Sequence, residues 1–137
     1  MGEAYDVMAA TCPSRTVLHR IGARWTIFVV TALAEREGPM RFVELKSRIQ
    51  GITPKVLTET LRALETDGLV DRIDKSGTLR HIEYALTDLG RSLWTPLQAV
   101  REWAEAHVPE ILLAQERAAW NAPETCGDSG STAYHGL

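Results

Sequence analysis

The residues best suited to chemistry are polar side chains that recur at one-turn spacing between positions 53 and 67. Leu57, Leu61 and Leu64 share one face of a helix with this period, so we expect that face to be buried. The polar positions then face outward, where hydroxyl, ammonium and guanidinium groups can reach phosphates and base edges in a DNA groove. The free N–H groups at the helix start also favour phosphate. These outward residues are Thr53, Lys55, Thr58, Glu59 and Arg62.

The same polar face has a plainer interpretation as a solvated helix surface. Glu59 shows the choice: it could accept a hydrogen bond from a cytosine amine, or pair with Lys55 or Arg62 on the helix itself. We favour the pairing for Glu59. The elements around this helix must therefore decide between the two interpretations.

Turn signals place this helix in a helix-turn-helix unit. Thr53 can cap the helix and Pro54 suits its first position. A shorter amphipathic helix follows the extended segment at 40–42 and stops at Gly51. Two short amphipathic helices joined by a tight glycine-containing turn are typical of a helix-turn-helix, so 53–67 is the predicted recognition helix.

After Gly68 the hydrophobic period changes to that of strands. Residues 69–74 and 80–86 are strand candidates, and 75–78 is a turn-rich segment between them. The sequence therefore predicts a β-hairpin whose tip, a wing at 74–81, lies beside the recognition helix. Its candidate contacts with the DNA backbone or minor groove are Lys75, Arg80 and His81.

Helical patterns occupy the rest of the chain. One helix follows Pro13 and ends at Gly22, and a second, with a wide apolar face, is the predicted central buried helix. A long helical region begins near Thr87, and we expect Pro109 to separate it into two helices. The predicted fold is mainly α with a small antiparallel β-hairpin (α+β), a winged helix-turn-helix with N- and C-terminal dimerisation helices. Its parts are an N-terminal arm (1–11), the winged domain (12–120) and a disordered tail (121–137).

Composition excludes several classes of protein. The 137 residues carry a net charge of −3 and are 45% hydrophobic, as in ordinary globular domains. The longest uncharged stretch, 25–34, is too short for a membrane-spanning helix, which needs about 20 residues. The first 13 residues lack the pattern of a secretory signal, so we expect a cytoplasmic protein without a membrane partner. Residues 14–91 hold 13 Lys and Arg against 10 Asp and Glu, which hints at an anionic partner for this segment.

The remaining candidate functional residues give weaker indications of function. Arg24, at a helix start, and Arg41, on the extended segment, could each contact phosphate or form an internal salt bridge. Trp94 and Trp103 lie on the long helix and could form a pocket for an effector, although packing in a dimer is the commoner role of such residues. The scattered histidines and the two distant cysteines do not suggest a metal site, and we expect no cofactor.

The order and spacing of these segments resemble the HxlR-type family of bacterial winged-helix transcription regulators, from Cys12 to about Glu110. The resemblance implies a dimer that binds palindromic double-stranded DNA operators, and we expect a repressor. This chain departs from the family in having Ala23-Arg24 where Gly-Lys is usual, and His81 where the wing usually has Arg. The matching segments include Ile21–Trp25, Arg41–Leu45, Gly51–Thr53, Asp67–Val70, Ile82–Thr87 and Leu89–Gly90.

Two other functions remain open. A winged helix could serve only protein–protein contact, but acidic or apolar residues would then be expected where Lys55 and Arg62 stand. A thiol enzyme is the remaining alternative. The sequence has no glycine-rich phosphate loop and no nucleophile elbow, so we do not expect an enzyme.

The predicted signal depends on Cys12. The resemblance implies an oxidant- or electrophile-sensing cysteine at this N-terminal place, and a thiol just before a helix start has a lowered pKa. Oxidation could link Cys12 to its dimer mate or to Cys126. The alternatives are a structural cysteine at the dimer interface, or control by a small-molecule effector near Trp94 and Trp103.

Overall fold

The structure is a computed structural model that describes residues 4–123. It confirms the predicted fold class, because this part of the chain is mainly helical with one small antiparallel sheet. It divides into a unit up to Arg101 and a second from Glu102 onward. The predicted tail from 124 onward, with Cys126, and residues 1–3 of the arm lie outside the described residues. The elements are α1 (Pro13–Ile21), α2 (Thr26–Glu35), β1 (Met40–Arg41), α3 (Phe42–Arg48), α4 (Pro54–Thr66), β2 (Val70–Asp74), β3 (Ile82–Leu86) and α5 (Asp88–Trp120).

The core of the first unit is built around α2 and α4. Val29 and Val30 on α2 are fully buried, which confirms the central buried helix. Leu57, Leu61 and Leu64 on α4 are buried to 2% exposure or less, as their spacing predicts. Burial of such a side chain contributes about 1.5–3 kcal/mol, so this face holds α4 in one rotational setting and turns its polar face outward.

The sheet has the order β1-β3-β2, with both pairs antiparallel. The predicted hairpin is present as β2 and β3, with Arg72 opposite Tyr84 and Asp74 opposite Ile82. The segment at 40–42 is more than an extended connection, because Met40 and Arg41 pair with β3 as a third strand. Two residues are too few to show a strand period in sequence.

The prediction that Pro109 separates two helices is wrong, because α5 runs from Asp88 to Trp120 as one helix of 33 residues through Pro96 and Pro109. A proline removes one N–H donor from a helix but does not oblige it to end. The residues on either side of Pro109 are rich in Ala, Glu and Leu, which are strong helix formers and continue the helical path.

A close junction fixes the start of α5 to the beginning of β2. The Thr87 hydroxyl donates to the Gly68 carbonyl oxygen (2.6 Å) and accepts from the Gly90 N–H (3.0 Å), while the Thr87 N–H donates to the Leu69 carbonyl oxygen (3.1 Å). A Cβ atom on Gly90 would lie only 2.1 Å from that Leu69 oxygen. Glycine at position 90 therefore allows the backbone of α5 to approach Gly68 and Leu69, just before β2, which we call the root of the wing.

The second unit contributes residues 102–120 of α5, which form a largely exposed helix. The Trp103 ring stacks on His107 with 4.7 Å between the ring centroids. Ile111, Leu112 and Leu113 remain exposed. No single helix between residues 4 and 123 is long and apolar enough to cross a membrane; only the pair α1 and α2, bent by 69°, reaches that length and composition.

Candidate nucleic-acid interface

The outward face of α4 carries the predicted recognition residues. Thr53 caps the helix, since its hydroxyl oxygen accepts a hydrogen bond from the Val56 N–H (3.2 Å). Lys55 and Arg62 are exposed, as is Glu59. Thr58 is half-buried, and its hydroxyl donates to the Pro54 carbonyl oxygen (2.8 Å), so this hydroxyl retains only its acceptor function for a ligand.

A groove of about 660 Å³ lies beside this face, between α3, α4 and the hairpin of β2 and β3, which we call the wing sheet. We call it the arginine groove, because four arginines from separate segments line it. Apolar side chains form much of the remaining lining, including Phe42, Leu61, Ile82 and Tyr84. The arginines are Arg41 on β1, Arg62 on α4, Arg72 on β2 and Arg80 just before β3.

In the part of the chain that the structure describes, the charges of these arginines are not neutralised by salt bridges. None of the four makes a salt bridge within residues 4–123, whereas Arg20 pairs with Asp67 (3.0 Å) and Arg48 pairs with Glu35 (2.9 Å). Guanidinium groups present several donors in one plane and bind phosphate or carboxylate oxygens strongly. The groove is therefore suited to an anion.

Two acids lie near these cations. Glu65 lines the groove, and Asp74 stands on β2 close to Arg72 and Arg80. The hydrogen bond from Ser76 and the charges of these two arginines lower the pKa of Asp74, whose Oδ1 accepts from the Ser76 N–H at 2.8 Å. Asp74 is thus ionised at neutral pH and offsets part of the positive charge on the wing side.

The other predicted wing residues face away from the groove. Lys75 Nζ lies 3.1 Å from Glu83 Oε2, and His81 Nε2 lies 2.8 Å from Glu83 Oε1. Hydrogen bonds from His81 and Lys75 lower the pKa of Glu83. Because side chains alternate along a strand, Glu83 and these partners occupy the sheet face opposite Ile82 and Tyr84. Of the predicted wing contacts, only Arg80 shares the arginine groove with Arg62.

Arg41 and Arg24, each predicted as a phosphate contact or an internal ion pair, have different settings. Arg41 lines the arginine groove. Arg24 lies just before α2, with its guanidinium carbon 5.0 Å from the Trp25 ring centroid, which is a cation–π contact and not a salt bridge. Sequence reasoning missed Arg72 altogether. The available signal was the strand period, which puts Arg72 on the same sheet face as the apolar Val70.

Cys12 lies at the start of α1 in a half-buried position. Its Sγ is 2.9 Å from the Ser14 hydroxyl oxygen, and the hydrogen bond between them lowers the pKa of the Cys12 thiol. A lowered pKa raises the fraction of thiolate, which is the reactive form. Within the described chain Cys12 has no disulfide partner.

The two tryptophans of the predicted effector or dimer pocket fall in different units. Trp94 is half-buried against the core of the first unit, with the Arg101 guanidinium 5.9 Å from its ring centroid. Trp103 is exposed in the second unit. Their role as a pocket stays a prediction.

The fold and the site together define a winged helix-turn-helix protein, with α3 and α4 as the helix-turn-helix and β2–β3 as the wing. A family model described as HxlR-like helix-turn-helix matches residues 20–111, and the chain belongs to this family. It is therefore a transcriptional regulator of the helix-turn-helix type.

Known relatives agree with this membership. YtfH of Escherichia coli (strain K12), an uncharacterized HTH-type transcriptional regulator, is 40% identical over 83% of this chain and 90% of its own length. The structure of the ytfH transcriptional regulator from Salmonella typhimurium matches with a TM-score of 0.74 and 34% identity, covering 82% of this chain and 99% of that one. The structure of the redox regulator HypR in its reduced form matches with a TM-score of 0.65 and 31% identity, covering 74% of this chain and 98% of that one.

Proposed function

We propose that the protein is a dimeric, sequence-specific DNA-binding repressor that inserts α4 into the major groove of a palindromic operator. The observation that carries the proposal is the division of α4 into a buried leucine face and an exposed face with Lys55 and Arg62. An outward arginine can read guanine, and an outward lysine can position phosphate. In this proposal the chain acts by binding and not by catalysis.

A plain solvated surface explains the exposed face of α4 less well. The pairing of Glu59 with Lys55 or Arg62 that the sequence favours is wrong for the described residues, where these three side chains form no ion pair with one another. The adjoining arginine groove extends the positive surface toward the wing. A module that binds acidic proteins would also have a positive surface. A preference for one DNA sequence over others therefore distinguishes a DNA-binding regulator from a protein-binding module.

The apolar helix faces that each unit leaves exposed support the proposed dimer. In the first unit α1 has no buried residue, and Leu18 is 54% exposed. In the second unit Leu112 and Leu113 are more than half exposed. Exposed apolar faces of this kind mark protein interaction sites, and a single winged helix contacts too few base pairs for specificity in a genome. A second copy of the chain would cover these faces and supply the second half-site.

The DNA proposal is tested by fluorescence anisotropy with the duplex upstream of the protein's own gene, using Lys55→Ala and Arg62→Ala. We expect Arg62→Ala to cost about 1–3 kcal/mol and to relax sequence preference, while Lys55→Ala weakens all duplexes uniformly. Arg91→Ala is the matched control, since Arg91 is exposed on α5 and is not among the residues that line the arginine groove. Parent-like binding by both α4 variants would contradict the recognition face.

The dimer is tested separately by light scattering. We expect a mass of twice the 15.2 kDa chain at micromolar concentration. A monomer under these conditions would contradict the dimer while leaving the α4 variants interpretable. A charged residue on the apolar face, as in Leu18→Glu, should shift the mass toward the monomer, and the exposed control Thr16→Glu on the same helix should not.

We further propose that oxidation of Cys12 releases the DNA. Support comes from its lowered pKa, its place at the start of the exposed helix α1, and the similarity to the redox regulator HypR. Two thiols would give two electrons and two protons to the oxidant and form one disulfide, with the second thiol coming from the partner's copy of this cysteine or from Cys126. Such a bond would alter the spacing of the two recognition helices.

The thiol proposal is tested by operator affinity with and without diamide. We expect diamide to release the parent but not Cys12→Ser. Cys126→Ser identifies the second thiol, because it should prevent release only if Cys126 supplies that thiol. Equal release of the parent and Cys12→Ser, or release of neither, would remove Cys12 from the mechanism.

A further inference from the structure

The arginine groove has two walls that belong to different parts of the winged helix. Arg62 comes from α4 and Arg41 from the junction of β1 and α3, while Arg72 and Arg80 come from the hairpin of β2 and β3. We propose that this groove clamps one phosphodiester segment of the DNA backbone, with Arg72 and Arg80 as its wing-side phosphate ligands. This inference rests on the proposed function, and it adds Arg72 and the arginine groove to the residues and surfaces that contact DNA.

The position of the groove favours the DNA backbone as its occupant. A helix in the major groove is flanked by the two sugar–phosphate strands, and a wing that reaches toward the minor groove must cross one of them. The cleft between α4 and the wing sheet is the space where that strand would lie. The groove occupies this cleft, and Arg62 and Thr58 from α4 line it together with Arg72 and Arg80.

The chemistry of the lining fits a phosphodiester segment on both counts. Its charged oxygens match the guanidinium groups of Arg72 and Arg80, which make no ion pair within the described residues. The deoxyribose between phosphates presents an apolar surface, which matches the side chains of Ile82 and Tyr84. The wing's other cations, Lys75 and His81, are held by Glu83 and lie on the opposite sheet face. The wing therefore meets DNA through its groove-facing side.

The test compares Arg72→Gln and Arg80→Gln with Arg91→Gln, which removes the same charge from an exposed position outside the groove. Affinities for the operator and for an unrelated duplex are measured by anisotropy between about 0.05 and 0.3 M salt. Loss of one phosphate contact per protomer should make the slope of log affinity against log salt concentration shallower by about 1.8 for the dimer. If the affinity at 1 M salt is unchanged, the affinity at 0.1 M salt should fall by roughly 60-fold.

We expect this loss to be equal for the two duplexes, because phosphate contacts carry no sequence information. Arg72→Lys should recover most of the slope, since it restores the charge. Thermal melts of the exposed variants should match the parent, so reduced affinity is not a folding effect.

The clamp would be overturned if Arg72→Gln and Arg80→Gln bound DNA with the affinity and slope of Arg91→Gln. A loss confined to the operator would also overturn it, because it would indicate base reading. Absence of salt-dependent binding by the parent itself would overturn the proposed function, which distinguishes that failure from failure of the clamp alone.

Discussion

The contact at Gly90 predicts that a substitution favourable to the helix will destabilise the protein. Alanine is a better helix former than glycine by about 1 kcal/mol, so helix propensity alone predicts that Gly90→Ala stabilises α5. In the structure, however, the new Cβ would lie 2.1 Å from the Leu69 carbonyl oxygen and 3.0 Å from Leu86 Cδ2. The first of these neighbours is backbone and cannot rotate away. The start of α5 must therefore move away from the root of the wing.

The expected size follows from these two opposing effects. Overpacking typically costs about 1–3 kcal/mol, and a backbone contact this short places Gly90→Ala at the upper end. With the gain in helix propensity subtracted, the free energy of unfolding should fall by about 2 kcal/mol. For a chain of this length that corresponds to a melting temperature lower by roughly 8 °C. Urea unfolding and a thermal melt followed by circular dichroism would measure both quantities.

Gly77→Ala supplies the control for this prediction. Gly77 lies at the wing tip, and apart from its own atoms and those of its two chain neighbours no atom of residues 4–123 lies within 4 Å of the position its Cβ would take. We expect its stability to stay within about 0.5 kcal/mol of the parent. If Gly90→Ala were as stable as the parent or more stable, the close approach of α5 to Leu69 would be refuted. The same variant should weaken DNA binding, since the junction sets the wing beside α4.

Three further predictions concern single hydrogen-bonded groups. Thr53→Ala should lower the free energy of unfolding by about 1 kcal/mol in urea, while Thr53→Ser retains the cap; equal midpoints for all three proteins would contradict the capping role. The hydrogen bond from His81 lowers the pKa of Glu83, so this carboxylate stabilises the fold above about pH 5 and the stabilisation disappears as pH falls through its folded pKa. Glu83→Gln should therefore be less stable than the parent at pH 7 and equally stable in acid, and a constant difference across pH would refute this. Ser14→Ala should raise the pKa of Cys12, seen as slower alkylation by iodoacetamide at pH 7, and an unchanged pH–rate profile would show that Ser14 does not tune the thiol.

Helix α4 could be predicted from sequence because its signals are local. The leucine spacing determines which face is buried, and Thr53 and Pro54 mark the start. The structure has α4 at Pro54–Thr66, within one residue of the predicted 53–67 at each end. The outward positions of Lys55 and Arg62 follow from that helix without further information.

The wing side of the site could not be derived in the same way, because it depends on pairing between strands. The pairing register of β2 with β3 brings Lys75 next to Glu83, although the two are distant in sequence. Glu83 contacts both Lys75 and His81 on the sheet face opposite the arginine groove. Arg72 could be placed on a strand face but not opposite Arg62, because sequence period does not give the distance between elements. The continuity of α5 through Pro109 could not be predicted from the proline alone, because it also depends on the helix propensities of the residues on either side.

The central claim, that α4 occupies the major groove of a two-fold operator, is tested most directly by methylation interference. Dimethyl sulphate methylates guanine N7 in the major groove, where Arg62 would read it. We predict two symmetric clusters of interfering guanines, centred about 10 base pairs or a multiple of this apart, with the interference at the guanine read by Arg62 lost in Arg62→Ala. Interference confined to the minor groove, or a footprint unchanged by Arg62→Ala, would contradict the account.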